Sequence, residues 1–177
     1  MYSGIINITT QFSDIPKIST NLWYSGCRLK CKGCHNSKLE KFQNGLKLNN
    51  VISILEQTHD KTDWIVFIGG NPIDNIKSTL KLSKYCKTNL KKNTFLFSGY
   101  NLKEIEKLLK PKELQELYSN FDYIKCGRFN KNKLSSELCP GYHFASTNQI
   151  VYKIVDNNPI AYYYVINGVP NMKKFKL

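Results

Sequence analysis

Apolar residues recur along this chain in two alternating periods, and the alternation sets the first expectation of a fold. Leu48, Val51, Ile52 and Leu55 fall at the steps of one helix face, which predicts an amphipathic helix over about 47–58. Trp64 to Ile68 follows as an unbroken apolar run closed by Gly69 and Gly70, the pattern of a strand covered on both faces by helices. Ile73, Ile76 and Leu80 open a second helix, and Phe95 to Phe97 make a short strand before Gly99. Leu102, Ile105, Leu108 and Leu109 mark a third helix, which Pro111 breaks or restarts. Phe121 to Cys126 is a further strand ending at Gly127, and Asn21 to Ser25 is an earlier one ending at Gly26. The tail from Ile150 to Ile166 reads as extended, with a turn at Asp156 to Pro159.

Strands and helices alternating at crossover lengths predict an α/β fold with a parallel sheet and helices outside it. Such folds gather ligands at the carboxyl ends of their strands. Gly26, Gly69, Gly99 and Gly127 would all stand at that edge. Turn punctuation explains any one of them; four at equivalent positions point to a site.

Composition narrows the class. A chain of 177 residues, 41% of them hydrophobic, has material for one domain with a real core, so 1–177 is expected to form a single domain with one active site. Met1 to Thr10 carries no basic segment leading into an apolar run, and Ile160 to Ile166 is too short to span a membrane. A soluble, cytoplasmic protein with no membrane partner is expected. The formal charge of +13 raises nucleic-acid binding. Against it, only Arg28 and Arg128 are arginines, whereas readers of bases and phosphates favour the guanidinium fork. The lysines are spread thinly and read as solvated faces.

Six cysteines change the picture more than the charge does, because three of them, Cys27, Cys31 and Cys34, stand within eight residues. That crowding fits a reducing compartment and metal ligation better than a disulfide framework. Gaps of three and then two residues let one loop wrap a cuboidal iron–sulfur cluster. A full cube takes four thiolates, so three leave one iron open for a ligand. Arg28, Lys30 and Lys32 on the same loop are expected to offset the cluster's negative charge and favour thiolates. The alternative is a structural zinc with His35 as fourth ligand, in a nucleic-acid-binding module. No second knuckle accompanies it, since Cys86, Cys126 and Cys139 stand far apart and read as core or surface thiols.

The three-then-two cysteine spacing after the first strand, continued by Cys34-His35-Asn36, resembles the signature of the radical S-adenosylmethionine enzymes and of their activating-enzyme branch. Ile68-Gly69-Gly70-Asn71-Pro72 looks like that family's Gly-Gly-Glu-Pro element, which holds the amino group of the methionine moiety. Phe97-Ser98-Gly99-Tyr100, Gly127-Arg128-Phe129 and Ser146-Thr147-Asn148-Gln149 resemble motifs of the activating proteins of anaerobic ribonucleotide reductase. The resemblance runs from about residue 13 to 150. In two places the chain departs from the pattern. Asn71 stands where a carboxylate is usual, so a neutral hydrogen bond would replace the charge pairing with the ammonium group. Phe12 to Ser19 lacks the glycine-rich approach of the nearest relatives.

The resemblance implies an incomplete parallel β/α barrel of the radical S-adenosylmethionine type. It implies a 4Fe-4S cluster on Cys27, Cys31 and Cys34, and S-adenosyl-L-methionine held by His35, Gly69, Gly70, Asn71, Pro72, Ser98 and Gly99. Beyond the cluster ligands it implies no catalytic residue. The implied activity is reductive cleavage of that cofactor to a 5'-deoxyadenosyl radical, which makes the glycyl radical on the large subunit of anaerobic ribonucleotide reductase, with a flavodoxin-like protein as electron donor. A small-molecule radical enzyme of the 7-carboxy-7-deazaguanine synthase type shares much of this outline.

Overall fold

The computed structural model describes residues 1–12, 15, 17–134, 145–166 and 169–172. Eight strands form one sheet in chain order: β1 (Ile5–Phe12), β2 (Ile18–Tyr24), β3 (Trp64–Gly69), β4 (Asn93–Ser98), β5 (Tyr123–Cys126), β6 (Ile150–Val155), β7 (Asn158–Ile166) and β8 (Val169–Met172). Four helices accompany it: α1 (Leu48–Thr58), α2 (Ile76–Thr88), α3 (Leu102–Leu108) and α4 (Pro111–Asn120). A 3-10 turn, Pro72–Asn75, leads into α2.

The expected parallel sheet is only half of what forms. β2, β3, β4 and β5 pair in parallel, while β1 pairs antiparallel with β2, and β5 to β8 pair antiparallel in succession. The connections decide this. β6 and β7 are joined by Asp156 and Asn157 at φ +49° and +60°, a two-residue turn that suits only antiparallel neighbours. β1 and β8 do not pair, so the sheet is mixed and open.

Parallel neighbours need a crossover, and crossovers share one hand, so parallel strands laid down in chain order collect their helices on one face. Side-chain alternation shows the outcome. Leu22 and Tyr24, Ile65 and Phe67, Leu96, and Ile124 with Cys126 face Val51, Leu55, Leu82, Ile105 and Leu117 of the helices in one core. Val66, Ile68 and Phe95 point the other way, and there β3 is covered not by helices but by Ile15, Val151 and Tyr163, with Trp23, Trp64, Phe97, Tyr123 and Tyr162 around them. Trp64–Tyr123 and Phe95–Tyr123 ring contacts at 5.9 and 5.8 Å tie three strands together on this face. Burial on both faces is as expected for β3; the covering of the second face is not.

The third helix is two. Asn101 and Glu104 close a capping box at the start of α3, and Pro111 begins α4, where its missing N–H costs nothing. Cys86 and Cys126 are buried in the helix-side core, and Cys139 lies outside the described residues. No helix among the described residues is long and apolar enough to cross a membrane.

Candidate functional site

The carboxyl ends of β2 to β5 open onto a cavity of about 350 Å³. The thiols of Cys27, Cys31 and Cys34 line it, with His35, Gly69, Gly70, Ser98 and Gly99. Residues as far apart in sequence as Cys27 and Gly99 are thus brought together. Of the cluster and cofactor residues the resemblance implied, Asn71 and Pro72 stand off the wall, as do Tyr100, Arg128, Ser146, Thr147 and Asn148 of its other motifs. The strand-end arrangement explains why: β-strands laid parallel deliver the residue after each strand to one edge.

The cysteine loop is fastened at its root. Gly26 N–H donates to the Leu39 carbonyl at 2.8 Å and Cys27 N–H to the Glu40 carbonyl at 3.0 Å. Between the cysteines, Lys30 at φ +46° and Gly33 at φ +77° reverse the chain so that one loop turns three thiols inward. Gly26 (φ +90°) has no room for a side chain, because a Cβ would meet the Phe42 ring at 2.2 Å.

Three cysteines on one cavity wall fit an iron–sulfur cluster. A single tetrahedral ion needs its ligands within one tight coordination shell, whereas a cube gives each thiolate its own iron and holds the sulfurs further apart. Among the described residues, no three His, Cys, Asp or Glu side chains converge closely enough for one ion. Three thiols from one loop are the donor set that a cube with one open iron takes. His35 sits exposed at the rim, its ring edge-on to Phe129 at 6.5 Å.

The basic residues of the loop do not act as expected. Burial, chiefly, pushes the thiols of Cys27 and Cys34 up from their ordinary value, and neighbouring thiols add to the effect. Arg28 is directed away from them, with its guanidinium at 3.3 Å from the carboxylate of Asp74 and over the ring of Phe42. The loop's own charge therefore does not bring the thiols of Cys27 and Cys34 below their ordinary value.

Asn71 is fully buried behind the wall. Its amide nitrogen donates to Asp74 Oδ2 at 3.2 Å, its Oδ1 accepts from the Ser98 hydroxyl at 3.3 Å, and its backbone N–H donates to the Gly26 carbonyl at 2.8 Å. The side-chain oxygen expected to meet an ammonium group is thus taken by Ser98, which itself lines the cavity. Pro72 is buried too and opens the 3-10 turn, its carbonyl accepting from Thr79 Oγ1 at 2.8 Å.

Two features of the site were not anticipated. Lys125 is 5% exposed and lines the cavity, with its ammonium 4.9 Å from the centre of the Phe97 ring. A lysine inside the apolar run Phe121 to Cys126 was the available signal. Asn148 and Gln149, for which the resemblance supplied no mechanism, clasp the loop after β5. Gln149 Nε2 donates to the Gly127 carbonyl and Asn148 Nδ2 to the Arg128 carbonyl, both at 2.9 Å. Arg128 in turn makes two contacts with the Glu104 carboxylate, at 2.7 and 2.8 Å, which tie this loop to the start of α3.

Comparison with known proteins agrees with this geometry. An anaerobic ribonucleoside-triphosphate reductase-activating protein of Vibrio cholerae is 26% identical over 147 residues, covering 78% of this chain and 89% of its own length. The protein of the same name from Enterobacteria phage T4 is 26% identical over 151 residues, or 82% of this chain and 90% of its own. A putative glycyl-radical enzyme activating enzyme of Methanocaldococcus jannaschii is 29% identical over 141 residues, which are 75% of this chain and 53% of its own. The family model described as a 4Fe-4S single cluster domain matches residues 18–152, a span that holds all three cysteines and every strand of the cavity edge, and the chain belongs to that family.

Proposed function

We propose that the chain is an iron–sulfur activase that generates the glycyl radical of an anaerobic ribonucleotide reductase, working from a partial β/α barrel of the radical S-adenosylmethionine type. The observation that carries this is the convergence of Cys27, Cys31, Cys34 and the glycines after β3 and β4 on one cavity. Cys27, Cys31 and Cys34 would hold a 4Fe-4S cluster with one open iron, which when bound would supply a site for S-adenosylmethionine and one electron for its reductive cleavage. The names of the relatives point to the same reaction class.

The chain's own residues bind, orient and shield. Cys27, Cys31 and Cys34 hold the cluster. Gly69 and Gly70 bring backbone to the cavity wall without side chains in the way, and Ser98 and Gly99 form the next strand end. Lys125 presents a positive charge at the cavity wall, of the sign suited to the carboxylate of the cofactor. Phe97 and Phe129 add apolar wall that keeps water from a reactive radical. Among the described strands the sheet does not close on itself, which suits a site that the glycine loop of a large partner subunit completes. The +13 charge suits an acidic electron donor of the flavodoxin kind, and thiolate chemistry suits the cytoplasm.

The test is electron paramagnetic resonance on the reduced, iron-loaded chain given S-adenosylmethionine. A glycyl signal is expected only with the anaerobic reductase large subunit from the same source. Turnover to 5'-deoxyadenosine without that signal, or an equal signal on a partner whose glycine is replaced by alanine, overturns the assignment.

A further inference from the structure

Asp74 stands on the 3-10 turn between β3 and α2, and its side chain is 2% exposed. Four donors meet its carboxylate: Arg28 N–H at 3.0 Å, Arg28 Nη1 at 3.3 Å, Asn71 Nδ2 at 3.2 Å and Tyr100 Oη at 3.0 Å. None of them belongs to α2, so a helix-capping role does not account for the burial. They come instead from the loop after β2, the end of β3 and the loop after β4. Arg28 directly follows Cys27, and Tyr100 directly follows Gly99.

A carboxylate only accepts hydrogen bonds, so Asp74 dictates which end of the Asn71 amide faces it. The NH2 turns to Asp74 and Oδ1 is left for the hydroxyl of Ser98 on the cavity wall. Ser98 Oγ also accepts from Tyr100 N–H at 3.1 Å, which closes the circuit back to Asp74. Asp74 Oδ2 accepts from the backbone N–H of Arg28, one residue beyond Cys27, which places the negative charge beside the cysteine loop.

We propose that Asp74 is the positioning residue of this site: a buried carboxylate that fixes the root of the Cys27 loop and, through Asn71, the orientation of Ser98. Its charge also makes the bound cluster harder to reduce. This rests on the function proposed above, because it assumes that Cys27 carries iron.

The hydrogen bond between Asn71 and Asp74 allows a swap that conserves composition and charge. The full chain is prepared anaerobically with its cluster as wild type, Asp74→Asn, Asn71→Asp and the double exchange Asn71→Asp/Asp74→Asn. Iron content, cluster midpoint potential, S-adenosylmethionine affinity and thermal midpoint are measured on each. Asp74→Asn should weaken affinity about tenfold, the effect of exchanging one charged acceptor for a neutral one, and raise the potential. Asn71→Asp alone should lose iron, since two carboxylates would then share one hydrogen-bond distance. The double exchange should recover the iron lost in Asn71→Asp, because the carboxylate moved to position 71 would accept from Ser98 and from the amide moved to position 74. It should keep the weakened affinity of Asp74→Asn, because the NH2 of that amide would then meet Arg28 N–H donor to donor.

Wild-type affinity and potential in Asp74→Asn would overturn the proposal. So would a double exchange with wild-type affinity, since Arg28 N–H would then be shown not to need a carboxylate at position 74. If the wild-type chain holds its cluster but binds no S-adenosylmethionine, the function fails while potential and iron retention still judge Asp74. A wild-type chain that holds no iron overturns both.

Discussion

Gly70 lies against the carbonyl of Gly26: a Cβ at position 70 would stand 2.6 Å from that oxygen and 2.9 Å from the carbonyl of Leu39. Both oxygens belong to backbone, so neither can swing aside as a side chain would. The contact joins the end of β3 to the root of the cysteine loop, where Asn71 N–H also bonds Gly26. Gly70→Ala should therefore cost roughly 1–3 kcal/mol, as overpacking does, and displace Cys27. Iron retention after anaerobic reconstitution should fall in parallel with the thermal midpoint. Retention at the wild-type level would mean that the loop is not set by this contact.

The cysteines divide by surroundings, and so should their replacements. Cys27, Cys31 and Cys34 are half-buried on the cavity, while Cys86 and Cys126 are sealed in the helix-side core, where burial pushes Cys86 up to about 12. Alanine at any of the first three should abolish cleavage of S-adenosylmethionine by the reduced protein. Cys86→Ala and Cys126→Ala should leave cleavage intact and cost about 1 kcal/mol in urea unfolding, the scale of a small core deletion. Full cleavage with intact iron in Cys31→Ala would show the ligand set to be wrong.

Some elements of the fold are legible in the sequence and others are not. β3 and α1 were legible because one period holds over each whole segment, and Trp64 to Ile68 is buried throughout its middle. β1 was not assigned, although it is rich in β-branched residues. It is an edge strand, and Ile5 alone among its eight residues is buried, so it shows no sustained two-residue alternation. The cysteine cluster was legible because Cys27, Cys31 and Cys34 all come from one loop. Asp74 was invisible for the opposite reason: two of its four donors come from Arg28, 46 residues away, and a third from Tyr100, 26 away. Asn71 could be located from its motif, but its partners Asp74 and Ser98, which its side chain links, could not.

Acid should expose the tie between α3 and the loop after β5. Burial by itself would raise the Glu104 carboxyl, but the backbone N–H bond from Asn101 and the Arg128 guanidinium outweigh it and hold the group below its ordinary 4.5. A group whose value is lowered on folding stabilises the protein above its unfolded value, and that contribution is lost as pH falls through the folded one. Wild type should therefore be more stable than Glu104→Gln at pH 7, and the two should converge as pH drops below about 4.5. Thermal unfolding from neutral to acid pH checks this. A difference that persists undiminished at the acid end would assign the effect to packing.

The clasp on the last strand end of the cavity depends on one amide. Gln149 is 8% exposed, and it donates to the Gly127 carbonyl while its oxygen accepts from Ala145 N–H at 3.0 Å and Ser146 N–H at 3.4 Å. Gln149→Met keeps the length of the side chain and removes all three bonds, leaving buried backbone groups without partners. Such a loss costs roughly 1–3 kcal/mol for each group left unsatisfied, less where the loop relaxes to admit water. Asn148→Ala removes a single exposed bond to the Arg128 carbonyl and should cost about 1 kcal/mol or less. Hydrogen exchange separates the two: the amides of Ala145 and Ser146 should lose protection in Gln149→Met and keep it in Asn148→Ala. Because Gly127 and Gln149 both line the cavity, the first variant should also bind S-adenosylmethionine more weakly with its cluster intact. Unchanged protection in Gln149→Met would show that the loop after β5 is held by something other than this amide.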